Sequence, residues 1–276
     1  MTIAARLASR SASWTTVGGT RALVGACVAL LVALHRRSPL KTKRRGLSWA
    51  RSLLGTGAML STFYAVSSPE LGVSTAVTLF ATAPLFIALL SPRILGEEPG
   101  RVLWGVLLVA FSGVVLVAGT HLDVAAWPAI CALLAAVFSA LAMMFLRMMR
   151  SGSEGGTPES AEAIALHFGL VAFVAHAVLG VFSFRVPTLE DAGWLLVTGL
   201  SGGVAQLAMT RAYALTEAAR LGAVGYIGTV MGFVGSVVFL HERPDLPQIV
   251  GSVLVIGAGT VLAVSSASAG ARAARA

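Results

Sequence analysis

From about residue 17 to residue 265 the chain alternates long apolar stretches with short polar ones that carry most of the charge. Nine apolar stretches stand out, at 17–34, 47–66, 73–90, 102–119, 125–144, 161–182, 192–210, 221–240 and 248–265. Each approaches the roughly 20 residues that a helix needs to cross a bilayer. None alternates with a period of two, and glycine recurs inside most of them, so they predict helices and not barrel strands. The expected fold class is an all-α membrane protein, a helical bundle with nine transmembrane helices.

The pattern also repeats itself. "LGEEPGRVLWGVLLVAFSGVVLVAG", starting at Leu95, returns as "LHERPDLPQIVGSVLVIGAGTVLAV", starting at Leu240. Glu97 matches Glu242 and Pro99 matches Pro244; after a one-residue slip, Gly105 matches Gly251 and Gly113 matches Gly259. Upstream, "YAVSSPELG" at Tyr64 is echoed by "YALTEAARLG" at Tyr213. Five apolar stretches separate Glu97 from Glu242. Five is odd, so the second copy meets the membrane from the opposite face, as in an inverted repeat. Such repeats are typical of secondary transporters, with a substrate site near the midplane between halves that rock against each other. Each glutamate precedes a helix start, where a carboxylate meets the positive end of the dipole, and each proline suits a first helical turn. These four residues are expected to be structural.

Composition sharpens this reading. The chain is 57% hydrophobic and only 12% charged, with a mean hydropathy of +0.85, outside the range of a soluble domain of 276 residues. A net charge of +8 suggests nucleic acid at first sight, yet seven of the twenty basic residues fall in "RRSPLKTKRRGLSWAR", from Arg36 to Arg51. Read as a loop, this cluster is cytoplasmic, and the basic residues then divide fifteen inside to five outside, with Arg21 among the five. No separate basic patch is left for a nucleic-acid partner. Cys27 and Cys131 lie in apolar stretches and imply no disulfide. No Asn is present, so there is no glycosylation sequon. The polar run "RSGSEGGTPESAEA" at 150–163 has the Gly, Ser and Pro content of a flexible linker.

The twin Glu-x-Pro turns, the basic loop after "RALVGA", "ATAPLF" at Ala81 and "TRAYALTEAARLGAVGYIG" at Thr210 resemble the EamA branch of the drug/metabolite transporter superfamily. The resemblance implies ten helices in two inverted five-helix repeats, both ends cytoplasmic, and movement of small metabolites through a central cavity. Against that pattern the first helix is missing, and the true start is expected upstream of Met1. The expected division is a four-helix first repeat at 15–149, a cytoplasmic linker at 150–160, a five-helix second repeat at 161–265 and a cytoplasmic tail at 266–276. The location implied is the bacterial inner membrane.

Candidate substrate contacts come from polar groups at membrane depth. Gly199, Gly202, Gln206, Thr210 and Tyr213 recur at spacings of three and four and form one stripe. Gln206 either faces the cavity or bonds to a neighbouring helix. Tyr64, as the echo of Tyr213, joins the list. Tyr226 offers a hydroxyl and an aromatic face beside a glycine stripe, or anchors the helix at an interface. His167 and His176 are nine residues apart and so on opposite faces of one helix, and His167 is preferred for the cavity. Pro84 removes a backbone donor within the third stretch and is expected to kink it. All twelve acidic residues map to loops or stretch ends, so a buried proton relay is missing and exchange or facilitated diffusion is as open as proton coupling.

Two alternatives come from other classes. "GLSG" at Gly199 matches the Gly-x-Ser-Gly of intramembrane serine proteases, with Ser201 as nucleophile, although no histidine follows in a later stretch. A non-transporting partner subunit is the other. The leading expectation is a secondary transporter moving a small organic metabolite, in the efflux direction, with no cofactor and no metal. Its partners are that substrate, the lipid bilayer and, as an open possibility, a second copy in a homodimer.

Overall fold

The computed structural model describes residues 1–95, 101–119, 125–150, 159–183, 188–215 and 218–273. All regular structure among them is helical. The helices are α1 (Thr2–Ala8), α2 (Trp14–Arg36), α3 (Arg45–Ser67), α4 (Val73–Phe80), α5 (Ala83–Leu95), α6 (Arg101–Gly119), α7 (Ala126–Arg150), α8 (Ala161–Gly180), α9 (Leu189–Leu215), α10 (Ala218–Leu240) and α11 (Leu246–Ala273). Every expected apolar stretch is helical. Four helices, α2, α7, α8 and most of α9, are long and apolar enough among the described residues to cross a membrane on their own. Further apolar helical runs among the described residues are Val73–Ile87, Leu108–Val117, Gly228–Leu240 and Leu246–Val261.

The count of nine is modified in two places. A short α1 precedes the first expected stretch, and the third stretch is two helices, α4 and α5. The break falls at Ala81 and Thr82: the Thr82 hydroxyl donates to the Leu79 carbonyl at 2.6 Å, and its own carbonyl accepts from Leu85 at 2.9 Å at the start of α5. Pro84 is therefore the second residue of α5, where a missing N–H leaves nothing unpaired. The third stretch is interrupted just before it: α4 ends at Phe80, the residue whose carbonyl Pro84 has no N–H to bond. Pro92 lies inside α5 instead.

The helices gather into two compact units, one of Met1–Ser67 with Leu141–Leu215, the other of Ser68–Ala140 with Thr216–Ala276. Both units draw on the two expected segments 15–149 and 161–265, and α7 is divided between them. The segment 161–265 contains four helices, α8 to α11, so the expected five-helix second half cannot begin there; it needs α7 as well.

In the first unit α2 packs against α8, α9 and α3. Its buried residues are small: Gly18, Gly19, Ala22, Ala26, Ala29 and Ala33. Small side chains let backbones approach, which is how helices associate where no hydrophobic effect separates side chain from lipid. A β-carbon at Gly169 of α8 would sit 2.9 Å from Ala26 Cβ, and one at Gly203 of α9 would sit 2.8 Å from Gly25 Cα. Ser13 caps α2 by accepting from Thr16 N, and Arg37, at φ 53°, closes it in a left-handed turn. Trp14 lies against Tyr64, ring centres 5.7 Å apart, so the start of α2 meets the end of α3 and the two run antiparallel.

In the second unit α11 packs against α6 and α10, and α10 against α4. A β-carbon at Gly113 would come within 2.7 Å of the Gly251 carbonyl, and one at Gly251 within 2.6 Å of the Gly113 carbonyl. Nothing lies within 4 Å of Gly105 or Gly257 in the same sense. There α6 and α11 leave an apolar groove lined by residues such as Gly105, Val109, Leu254 and Val261. Asp245 and Gln248 cap α11 reciprocally: Gln248 N donates to Asp245 Oδ1 at 2.9 Å and Asp245 N to Gln248 Oε1 at 3.1 Å. In both units many large apolar side chains point outward, while Phe63, Met144, Leu146 and Ile164 in the first and Leu71 and Leu79 in the second are fully buried. Leu31, Leu34, Leu108, Phe111, Val178 and Phe239 are exposed, an arrangement that suits lipid in contact with the surface.

Candidate functional site

The polar groups of the first unit converge on Phe168. Arg21 lies about two turns into α2 and Arg51 about two turns into α3. Their guanidinium carbons sit 5.7 Å and 4.6 Å from the centre of the Phe168 ring. Arg51 is 1% exposed. Its Nε and Nη1, together with Nε of Arg21, are buried without a hydrogen-bond partner. Arg21 makes only long contacts, from Nη1 to the Met59 sulfur at 3.4 Å and from Nη2 to the Gly202 carbonyl at 3.5 Å. Cation–π contact with a phenyl ring returns about 0.5 to 2 kcal/mol, well short of the cost of a charge inside a membrane.

His176 sits on the same helix as Phe168, 1% exposed. Its Nδ1–H donates to the Ala172 carbonyl at 2.7 Å, which fixes the tautomer and leaves Nε2 as a buried acceptor with no partner. Trp14 and Phe63 face it edge-on, each with ring centres 6.3 Å away. Glycine makes room for these basic side chains. Any β-carbon at Gly18 would collide with the His176 ring and one at Gly55 with Arg51 Nη1, while one at Gly202 would lie 2.8 Å from Arg21 Nε.

Sequence reasoning missed both arginines, which had been counted as loop charges. Arg21 falls within the stretch 17–34 and Arg51 within 47–66, so their position inside apolar runs was the available signal. The basic density of 36–45 hid it for Arg51. Glycines three or four residues from an intramembrane arginine, as Gly18 is from Arg21 and Gly55 from Arg51, were a second signal.

The predicted contacts are distributed elsewhere. Gln206 Nε2 donates to Thr210 Oγ1 at 3.3 Å, and the fully buried Thr210 hydroxyl donates to the Gln206 carbonyl at 2.8 Å. Tyr213 packs beside Leu146, Met149 and Ile164. Tyr64 lies against Trp14, on the side of His176. His167 is half-buried and away from His176: its Nδ1 meets Ser52 Oγ at 2.8 Å and its ring stands edge-on to Trp49 at 4.8 Å. The Tyr226 side chain, Glu97 and Pro99 lie outside the described residues.

Three acidic residues at helix ends are buried, which the sequence did not suggest, and each is already engaged. Glu159, 4% exposed, accepts from the backbone N–H groups of Lys43 and Arg44 at 2.8 Å each. Glu162, 6% exposed, pairs with Arg211 at 2.5 Å. Asp191, 7% exposed, joins Thr188 in a cap at the start of α9. Glu242 does not serve the helix it precedes. Its carboxylate accepts from Val73 N at 2.5 Å, Ser74 N at 2.9 Å and Ser74 Oγ at 2.7 Å, capping α4. Pro244 follows in the turn before α11. The Ser201 hydroxyl donates to the Val197 carbonyl at 2.6 Å, a bond within its own helix that supplies no catalytic base. Among the described residues no group of His, Cys, Asp or Glu could hold a metal ion.

A bundle of apolar helices with lipid-facing leucines and buried polar groups defines a multi-pass protein of the inner membrane. The chain belongs to the EamA-like transporter family, whose profile matches residues 1–119 and 126–264. It is similar to the pseudopaline exporter CntI of Pseudomonas aeruginosa, 29% identical over 231 residues covering 82% of this chain and 78% of the relative. It is also similar to an S-adenosylmethionine uptake transporter of Rickettsia bellii, 24% identical over 228 residues, covering 82% and 75%. One crystal structure shares the fold with a TM-score of 0.69 at 18% identity, over 94% of this chain and 90% of that one. The protein is a small-molecule transporter and not an enzyme, which retires the protease reading of Ser201.

Proposed function

We propose that the chain moves a small organic metabolite across the inner membrane by alternating access between two inverted five-helix repeats, with efflux as the physiological direction. The observation that carries this reading is the doubled Glu-x-Pro turn with five helices, α6 to α10, between its copies. On this reading the repeats divide between α6 and α7, where the two family matches also part. Then α2 corresponds to α8, α3 to α9, the α4–α5 pair to α10, and α6 to α11. Each compact unit combines members of both repeats, as a bundle built on an in-plane pseudo-twofold axis would. The two named relatives carry small organic molecules, one outward and one inward. Efflux follows the exporter, the more similar of the two.

The test is flux. Cells overexpressing the chain and cells lacking it are compared for internal and external metabolites, and the solutes that differ are then followed in proteoliposomes. Labelled solute leaving protein-containing vesicles faster than empty ones is the expected result. Single cysteines in the turns at residues 97 and 242 should label from opposite sides of the membrane; labelling of both from one side ends the inverted-repeat reading.

A further inference from the structure

We propose that Arg21 and Arg51 form an oxyanion site in the first unit, which takes a carboxylate or phosphate group of the transported solute; the substrate assignment rests on the transporter reading above. Two cations pack against one phenyl ring with three guanidinium nitrogens unpaired. The buried carboxylates of the same unit are committed to Lys43 and Arg44, to Arg211 and to Thr188. Removing one partner of a buried ion pair is costly because the other charge stays uncompensated, and Arg51, 1% exposed, stands in that condition, with Arg21 beside it on the same ring. The Gly202 carbonyl lies 3.5 Å from Arg21 Nη2, and the glycines at 55 and 202 leave room beside the two guanidinium groups and supply no anion. An arginine's N–H groups make short, charge-assisted hydrogen bonds to carboxylate and phosphate oxygens. Arg51 retains two donors free of protein partners, Nε and Nη1, on different edges of its guanidinium, each able to bond one oxygen.

Purified protein in detergent is titrated with acetate, succinate, citrate and inorganic phosphate, the carboxylates matched by their amides and all against sodium chloride of equal ionic strength. The readout is the midpoint of thermal unfolding. At least one acid should raise the wild-type midpoint by about 3 °C or more above its control. That shift should vanish in Arg51→Gln and Arg21→Gln and survive in part in Arg51→Lys. Without ligand, Arg51→Gln should melt at or above the wild-type temperature, since an uncompensated charge has been removed. The proposal is overturned if no acid exceeds its control, if the shift persists in both glutamine variants, or if ligand-free Arg51→Gln melts several degrees lower, which would mark a structural cation. Added phosphatidylglycerol separates the two sources of phosphate: a shift with this lipid that soluble acids cannot add to would replace the solute with a headgroup. Flux is scored separately. Acid binding without flux removes the transporter reading and leaves the anion site; flux of solutes with no acid binding does the reverse.

Discussion

Replacing Glu242 with alanine should destabilise the second unit through a helix 169 residues away in sequence. The carboxylate accepts from the N–H groups of Val73 and Ser74 and from the Ser74 hydroxyl. Gly72, the N-cap residue of α4, has no side chain to take over. A β-carbon there would lie 3.2 Å from Glu242 Oε2, so the glycine leaves room for the visiting carboxylate. Loss of an N-cap acceptor costs about 1 kcal/mol, and a hydrogen bond to a charged group contributes about 1.5 to 3. The half-buried carboxylate and its partial overlap with the dipole effect argue for the lower end of a simple sum, about 3 kcal/mol for Glu242→Ala. For a chain of this size that corresponds to roughly 6 to 12 °C in the unfolding midpoint. Glu242→Gln keeps an acceptor and should lose about half as much. Combined with Ser74→Ala in a double-mutant cycle, the alanine variant should show coupling of at least about 0.5 kcal/mol. A midpoint for Glu242→Ala within a degree of wild type would refute the capping role.

Gly18→Ala should lower stability by an amount typical of overpacking, about 1 to 3 kcal/mol in denaturant titration, and His176→Ala should relieve much of that loss in the double variant, since the colliding ring is gone. Gly113→Val or Gly251→Val, each placing branched carbons against the facing backbone carbonyl, should abolish folded protein as judged by monodisperse elution in detergent, whereas Gly105→Val should not, because that position is open. Ser201→Ala should leave flux unchanged, its hydroxyl being satisfied within α9. Glu162→Gln, which breaks a pair with an Arg211 that remains 32% exposed, should cost no more than about 1 kcal/mol in denaturant titration.

The helices were legible because a bilayer sets a minimum apolar length, and no packing detail is needed to read it. Stretch 161–182 and α8, for example, agree closely. An interruption near Pro84 was legible, since proline leaves the carbonyl four residues back, that of Phe80, without its helical partner; that the stretch would divide into two separate helices was not. The doubled Glu-x-Pro turn was visible as spacing, but which helix Glu242 would cap could not be read from local sequence, since α4 lies at the far end of the chain from it. Arg51 was hidden by its neighbours. A basic run ending inside an apolar stretch reads as a loop by charge and as a helix by hydropathy, and its buried place on α3 beside Phe168 settles the choice. The stripe Gln206, Thr210 and Tyr213 was seen as polar, but hydrogen bonds inside one turn account for its first two members.

The inward face of α2 is alanine and glycine, and the bulk of the molecule's leucine and valine looks outward. This reverses the direction in which sequence drift is dangerous. In a water-soluble domain the interior loses most when large residues shrink; along α2 the packed face holds few atoms to lose, and the harmful step is growth by a single carbon at the facing Gly169 or Gly203. Outer positions such as Leu31 and Phe111 can exchange among apolar residues at little cost, because one oily group is as good as another against acyl chains. Descendants of this chain should therefore diverge on their lipid-facing sides first, and an altered cargo would have to arise through charge or hydrogen bonding at a few inner positions, with side-chain volume held nearly constant.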